Sequence, residues 1–169
     1  MFSYATSLNQ DISNWDVGNV TNMVNMFNHA ESFNQPIANW DVSGVANMYA
    51  MFYYTSAFNQ PIGNWNVSNV TNMSYMFFNA SSFNQPIGDW DVSSVTEVYN
   101  MFNTATSFNH DISSWCVTNI SSEPTDFSVN SPLIEIHKPV WGTCPSFGLD
   151  DQNQLDISIY PNPVIDKLF

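Results

Sequence analysis

The chain has 169 residues, of which 44% are hydrophobic, enough for one domain with a sizeable core. The formal net charge is −13, with two lysines and no arginine, which argues against nucleic acid and anionic membrane surfaces as partners. No run of about 18 apolar residues is present, so the sequence predicts no membrane-spanning helix.

An internal repeat organises most of the chain. Tryptophan recurs every 25 residues, at Trp15, Trp40, Trp65, Trp90 and Trp115. Columns of Phe, Asn, Ile, Val and Met keep the same phase, and so many columns in register exclude chance. Stacked copies of such a unit bury a continuous core between neighbours, so we expect a repeat protein.

Each unit begins with a short segment that runs from the Phe column to the Trp column. Three copies contain a Pro, and Gly follows Ile62 and Ile87. Because Pro is tolerated only where its missing N–H is not needed, this segment predicts a short strand that ends in a turn. The Asn column, in which Asn59 is the central copy, predicts a ladder of hydrogen bonds between units, since buried amides need partners.

The second part of each unit has a different spacing of apolar residues. Val70, Met73, Phe77 and Ala80 follow the spacing of one helix face, and Ser68 is a suitable N-cap. The sequence therefore predicts an α/β repeat solenoid with one short strand and one short helix per 25-residue unit.

The repeat resembles the BspA-like leucine-rich-repeat surface proteins. The motifs that carry the resemblance are Ser-Phe-Asn-Gln-Pro-Ile at 32–37 and 82–87 (57–62 has Ala57 for Ser), Trp-Asp-Val-Ser at 40–43 and 90–93, and Asn-Val-Thr-Asn-Met at 19–23 and 69–73. The resemblance implies a leucine-rich-repeat-like fold of about five units over residues 1–121. Met1 falls in the middle of a unit, so we expect that the chain is truncated at its N-terminus.

The two cysteines, Cys116 and Cys144, are an even pair in an otherwise cysteine-free chain, which fits one disulfide in an oxidising compartment. Cys116 takes a position that Asp holds in earlier units. The resemblance implies that residues 122–145 form a C-terminal cap closed by this bond. Residues 146–154, rich in Asp and Gln, are interpreted as a linker.

The last segment, 155–169, looks like the start of a type IX secretion C-terminal sorting domain, with Tyr-Pro-Asn-Pro-Val at its centre. Such domains continue for several more strands, so we expect a truncated one. This resemblance implies a partner, the type IX secretion machinery, and a location that is secreted or at the outer cell surface of a Gram-negative bacterium.

A column of carboxylates offers a weak candidate for a metal site. Asp16, Asp41 and Asp91 share it with Asn66. Calcium requires six to eight oxygen ligands, and one carboxylate per unit supplies few. An Asx-turn, in which each side chain accepts the N–H two residues on, is the favoured interpretation. No metal or other cofactor is predicted.

Catalysis is not expected. The histidines His29, His110 and His137 are not part of a recognisable nucleophile motif. Asp11 and Asp111 replace Pro in the outer units, and about four unit spacings separate them, too far for an acid–base pair.

Recognition should fall to positions that vary between units, because the constant columns build the core. Aromatic residues are concentrated in the predicted helix layer of the central units, and the candidate ligand-binding residues are Tyr53, Tyr54, Tyr75 and Phe78. The functional hypothesis is adhesion to, or binding of, an extracellular protein or glycan. The alternatives are a passive spacer that carries other domains and a calcium-stabilised scaffold.

Overall fold

The computed structural model describes residues 1–145. Its only helix is a 3-10 helix at Glu135–His137, and the only β-pairing within these residues consists of isolated parallel bridges. The bridges join Asn22 to Asn47, Asn47 to Asn72 and Asn72 to Glu97. The predicted α/β solenoid with a strand and a helix in each unit is therefore wrong, and with it the leucine-rich-repeat-like form. The predicted linker and sorting domain, 146–154 and 155–169, lie outside the described residues.

The segments predicted to be helical are chains of turns. In residues 73–80, the amides of Met76, Phe78 and Ala80 donate to the carbonyls three residues earlier. The alternate amides, such as that of Phe77, donate instead to the next unit, 24 residues further on. An α-helix needs every amide to bond four residues back, and a strand needs a continuous ladder with its neighbour. Because successive amides bond alternately within the unit and to the next unit, the backbone hydrogen bonds are satisfied without forming either a helix or a strand.

Positive φ angles enforce this alternation. Tyr75 has φ +60° and Asn79 has φ +53°, each at the third residue of a turn. The same two columns have positive φ in the neighbouring units, for example +56° at Asn25 and at His29. Type II turns require positive φ at this position, and a right-handed helix does not allow it. Residues 73–80 and the corresponding residues of the other units, 23–30, 48–55 and 98–105, are called the turn segments below.

The core consists of the same residue types stacked from unit to unit. Phe27, Phe52, Phe77 and Phe102 stack with ring centroids 5.6–5.7 Å apart and planes within 7°. The phenylalanines of a second column, which includes Phe58, stack on those of the first, with ring centroids about 4 Å apart. The predicted internal columns of Phe and Met are confirmed, since they are almost fully buried from the second unit onwards.

Tryptophan ties each unit to the one before it. The Trp65 indole N–H donates to the carbonyl of Ile37 at 3.1 Å, and Trp90 repeats this bond to Ile62. From Trp40 onwards the ring of the column is at most 4% exposed, whereas Trp15 in the first unit is 41% exposed. The predicted burial of the column holds for four of the five tryptophans.

The amide ladder that the Asn column predicted is present. The Oδ1 atom of Asn34 accepts the backbone N–H of Asn59 at 2.9 Å, and Asn59 does the same for Asn84. Gln60 and Gln85 donate their amide groups to the same oxygens from the following unit. Two donors per oxygen hold successive units in register.

The segment after residue 121 continues the stack as an irregular last layer. The amide of Phe102 donates to Phe127, and that of Val117 donates to Thr143. Cys116 and Cys144 form the predicted disulfide. Phe127 closes the end of the core, and the Trp141 ring meets it edge to face at 5.0 Å.

Candidate functional site

The outer side of the turn segments positions the candidate residues. Tyr54 and Tyr75 occupy positions of positive φ, and Tyr53 and Phe78 each directly precede such a position. In the second and third units these positions place Tyr53, Tyr54, Tyr75 and Phe78 on one surface, where all four are half-buried. The structure therefore brings together the four residues singled out from the sequence.

The four rings contact one another and three further aromatic residues. The Tyr53 and Phe78 rings stack at 4.9 Å, and Tyr75 lies 5.9 Å from Phe78 at 44°. The additional members are Tyr4, His29 and Tyr49. We call all seven residues the aromatic face: Tyr4, His29, Tyr49, Tyr53, Tyr54, Tyr75 and Phe78.

The three additional residues could have been found from the column pattern. Tyr4, His29 and Tyr54 are 25 residues apart, and their rings stack at 4.5 and 4.8 Å with planes within 11°. Tyr49 contacts Tyr75 at 5.5 Å across two neighbouring columns. The sequence shows the first relation directly, whereas the second depends on how the turns place adjacent columns side by side.

The orientation of the rings determines what the aromatic face presents to solvent. His29 and Tyr54 are nearly parallel at 6°, and Tyr53 and Phe78 are within 17° of parallel. The faces of these four rings therefore cover one another along the stack, and their edges point outward. Tyr75 differs, because its ring is tilted by 60° against Tyr53. The outermost ring, Tyr4, is 71% exposed. A ring edge carries the positive end of the aromatic quadrupole, and each tyrosine adds a hydroxyl donor.

The aromatic face contains no Asp, Glu, Lys or Arg side chain. Burial raises the pKa of the Tyr53 phenol, and the neighbouring phenols of Tyr54 and Tyr75 raise it further. Tyr53 consequently remains a neutral O–H donor at and well above neutral pH.

Amide pairs border the aromatic face along the stack. Asn28 donates to Asn25 at 2.8 Å in the first unit, and Asn103 donates to Asn100 at 2.8 Å in the fourth, the unit after that of Phe78. These four residues occupy the columns that hold Tyr53, Phe78 and Tyr75 in the central units. Aromatic side chains are therefore a local replacement of Asn and not a requirement of the fold.

The carboxylate column forms Asx-turns. The Oδ1 atoms of Asp16, Asp41 and Asp91 each accept the backbone N–H two residues on, at 3.0–3.1 Å. For Asp41 the Ser43 hydroxyl and then its N–H lower the pKa of the carboxyl below its ordinary value. Among residues 1–145, no group of three or more His, Cys, Asp or Glu side chains is arranged to hold a metal ion.

The three histidines lie in separate environments. His29 belongs to the aromatic face, and the Nε2 atom of His110 lies 3.1 Å from the carbonyl of Asn84, in place of a Gln of the amide ladder. His137 lies in the last layer, where its backbone carbonyl accepts the N–H of Ile112. The structure does not bring any of them together.

Comparison with known proteins gives a family. The chain matches the family described as "Mycoplasma protein of unknown function, DUF285" over residues 1–80 and again over 36–133. The chain belongs to the DUF285 family. The overlapping matches follow from the repeat, which lets the family pattern align in more than one register. No curated protein and no solved structure gives a match.

The matches cover the stacked units and most of the last layer, so the aromatic face lies within the part that defines family membership. The family description assigns no activity to this region. No helix within residues 1–145 has the length and apolar character needed to cross a membrane.

Proposed function

We propose that this DUF285 protein is a binding module that contacts its ligand through the aromatic face. The observation that carries the proposal is the difference between the two sides of each turn segment. The inner columns repeat the same residues, whereas the outer column of Asn28 and Asn103 holds Tyr53 and Phe78 in the central units. The column of Asn25 and Asn100 likewise holds Tyr75 in the third unit. Stacking alone does not need this change, because the Asn-bearing units have the same backbone.

Physical arguments support a contact role for this surface. Exposed aromatic clusters are uncommon on soluble proteins and mark contact sites. Tyrosine supplies large contact area with little side-chain entropy to lose, and it is enriched in binding surfaces. The rings of Tyr53, Tyr54, Tyr75 and Phe78 restrain one another, so little further ordering is needed when a ligand binds.

The second candidate is a passive spacer that carries other domains. The regular core columns and the amide ladder favour it, since a rigid rod needs only these. A spacer, however, has no use for a cluster of aromatic residues on one side.

The proposal includes an extracellular setting, either secreted or on the outer surface of a Gram-negative cell, as in the BspA-like surface proteins that the motifs resemble. The disulfide between Cys116 and Cys144 supports it, because such bonds persist in oxidising compartments. Residues 155–169 would provide the contact with the type IX secretion machinery. Fractionation of cells that carry the full-length gene, with surface proteolysis, tests this part: protein found only in the cytoplasm would contradict it.

The test of binding compares the parent protein with a matched variant. Tyr53→Asn, Tyr54→Asn, Tyr75→Asn and Phe78→Asn together place on the central units the residue that other units carry at the same columns; we call this the Asn-face variant. Both proteins are applied to arrays of extracellular matrix proteins and glycans. We expect ligands of the parent to lose about tenfold or more in affinity for the variant, the usual effect of removing central aromatic contacts.

Two results would contradict the proposal. If the Asn-face variant binds every ligand of the parent equally well, the aromatic face is not the site. If the parent binds no ligand above background, the spacer is the better explanation. Circular dichroism and thermal unfolding of both proteins provide the folding control.

A further inference from the structure

We infer that the ligand of the aromatic face is a cationic polypeptide segment. This inference rests on the proposed function and specifies the class of ligand. It depends on three observations: the parallel-stacked rings present edges, the face is flanked by carboxylates that form no ion pair within residues 1–145, and the described chain has almost no cationic side chain of its own.

Ring orientation disfavours a sugar as the ligand. The C–H groups of a pyranose carry a small positive charge, so they are attracted to the electron-rich face of an aromatic ring. In the aromatic face, the rings of His29 and Tyr54 cover each other, as do those of Tyr53 and Phe78. Within this inner part, a flat sugar would meet ring edges, where the quadrupole has the opposite sign.

The same edges suit a polypeptide backbone. Carbonyl oxygens carry negative partial charge and are attracted to ring edges, and they accept hydrogen bonds from tyrosine hydroxyls. The aromatic face extends over four successive units, from Tyr4 to Phe78, which is roughly 15 Å at about 4.8 Å per unit. An extended segment of about five residues covers this length.

Two glutamates beside the aromatic face favour a polypeptide with positive charge over a neutral or acidic one. The backbone carbonyl of Glu31 accepts the N–H of Ala57 just after the second turn segment, and that of Glu97 accepts the N–H of Met73 at the start of the third. The Glu97 carboxylate also accepts a hydrogen bond from the side-chain amide of Asn72. Both glutamates are exposed, and within residues 1–145 neither forms an ion pair. The aromatic face is therefore bordered on both sides by carboxylates that can pair with a ligand.

Within residues 1–145, the cationic side chain is engaged with other carboxylates. The single lysine within the described residues, Lys138, is 9% exposed and pairs with Glu123 at 2.8 Å and Glu135 at 2.6 Å. With a net charge of −13, the chain attracts cationic ligands at long range, and lysine or arginine side chains of the ligand supply the missing partners.

The experiment measures binding of defined probes to the parent protein by fluorescence anisotropy at low and physiological salt. The probes are labelled peptides of about ten residues in which Lys or Arg alternates with Ser or Leu, the same peptides with Glu in place of the cations, and neutral cello- and chito-oligosaccharides. We expect the cationic peptides to bind, and the acidic peptides and the sugars not to bind.

Two pairs of variants locate the contact. Glu31→Gln with Glu97→Gln should weaken the cationic peptides roughly two- to fivefold, as for solvent-exposed ion pairs. Asp16→Asn with Asp91→Asn makes the same change in net charge away from the aromatic face, and Asn66 already forms this Asx-turn. This control should leave affinity nearly unchanged. The Asn-face variant should lose about tenfold or more.

Each alternative result is decisive. Sugar binding that the Asn-face variant abolishes would overturn the inference of a polypeptide and leave the proposed binding face intact. Equal loss in the two charge pairs would show that attraction is general and not local, which overturns the inferred pairing. Peptide binding that the Asn-face variant retains would overturn the inference and the proposed function together.

Discussion

The inner and outer sides of the turn segments differ in what they tolerate. On the inner side, Phe27, Phe52, Phe77 and Phe102 repeat without exception, because each ring packs on the same ring of its neighbours. On the outer side, Asn, Tyr and Phe exchange within one column while the backbone stays the same. Stacking thus constrains only the side that faces the core, and the outer side is free to acquire a function.

The largest loss of stability should come from the inner side. Phe77→Ala removes a ring that contacts Phe52, Phe83 and Phe102, and the stack cannot close around the cavity without breaking its register. We expect a loss of about 3–5 kcal/mol in the free energy of unfolding, measured by urea denaturation. A loss below about 1 kcal/mol would show that the units are loosely packed.

The last layer should contribute almost as much. Cys116 and Cys144 are 28 residues apart in sequence, and the bond between them restricts the unfolded chain. Replacement of both by Ser should cost about 3–4 kcal/mol by loop entropy. Thiol labelling of unreduced native protein provides the companion measurement, and reactive thiols there would contradict the assigned bond.

A smaller effect is expected from the indole hydrogen bond. Trp65→Phe keeps an aromatic ring in the core but removes the N–H that donates to the carbonyl of Ile37. The Ile37 carbonyl keeps the backbone N–H of Trp40 as a donor at 3.2 Å, so the loss is that of one buried hydrogen bond, about 0.5–1.5 kcal/mol. The chemical denaturation midpoint should fall accordingly. The same substitution at Trp15, which is 41% exposed, is the matched control and should change the midpoint little.

The smallest effect on stability should come from the aromatic face. The Asn-face variant introduces residues that the same columns already carry, and Asn tolerates the positive φ of Tyr54 and Tyr75 better than Tyr does. We expect a change within about 0.5 kcal/mol, as for other surface substitutions. A loss comparable to that of Phe77→Ala would mean that the outer rings are structural, and the contrast between the two sides would disappear.

The helix prediction failed for an identifiable reason. Val70, Met73, Phe77 and Ala80 follow helical spacing, but a chain of turns with hydrogen bonds three residues back buries residues at the same intervals. Ser68 accordingly caps no helix; its N–H and hydroxyl bond to Asn66 instead. Periodicity reports which residues are buried, and it does not report the sign of φ at Tyr75 and Asn79.

The strand prediction failed for a related reason. The segment from the Phe column to the Trp column pairs with its neighbours through side chains, because Asn59 and Gln60 bond to Asn34 where a sheet would use backbone groups. The only backbone bridges within residues 1–145 fall elsewhere, at Asn47 and Asn72 among others. The amide ladder itself was predictable, since an Asn repeated in phase must find partners if it is partly buried.

The sequence alone determined the 25-residue period, the burial of the Phe, Met and Trp columns, the amide ladder and the pairing of the two cysteines. These follow from residue type and phase, because identical units stacked in register place identical side chains next to each other. Tertiary structure decided the backbone path, since each backbone N–H bonds to a carbonyl of its own unit or of the next unit, depending on which carbonyl the stacking brings within reach. It also decided the orientation of the rings of the aromatic face. Parallel stacking across units turns their edges outward, and no pattern within a single unit contains that information.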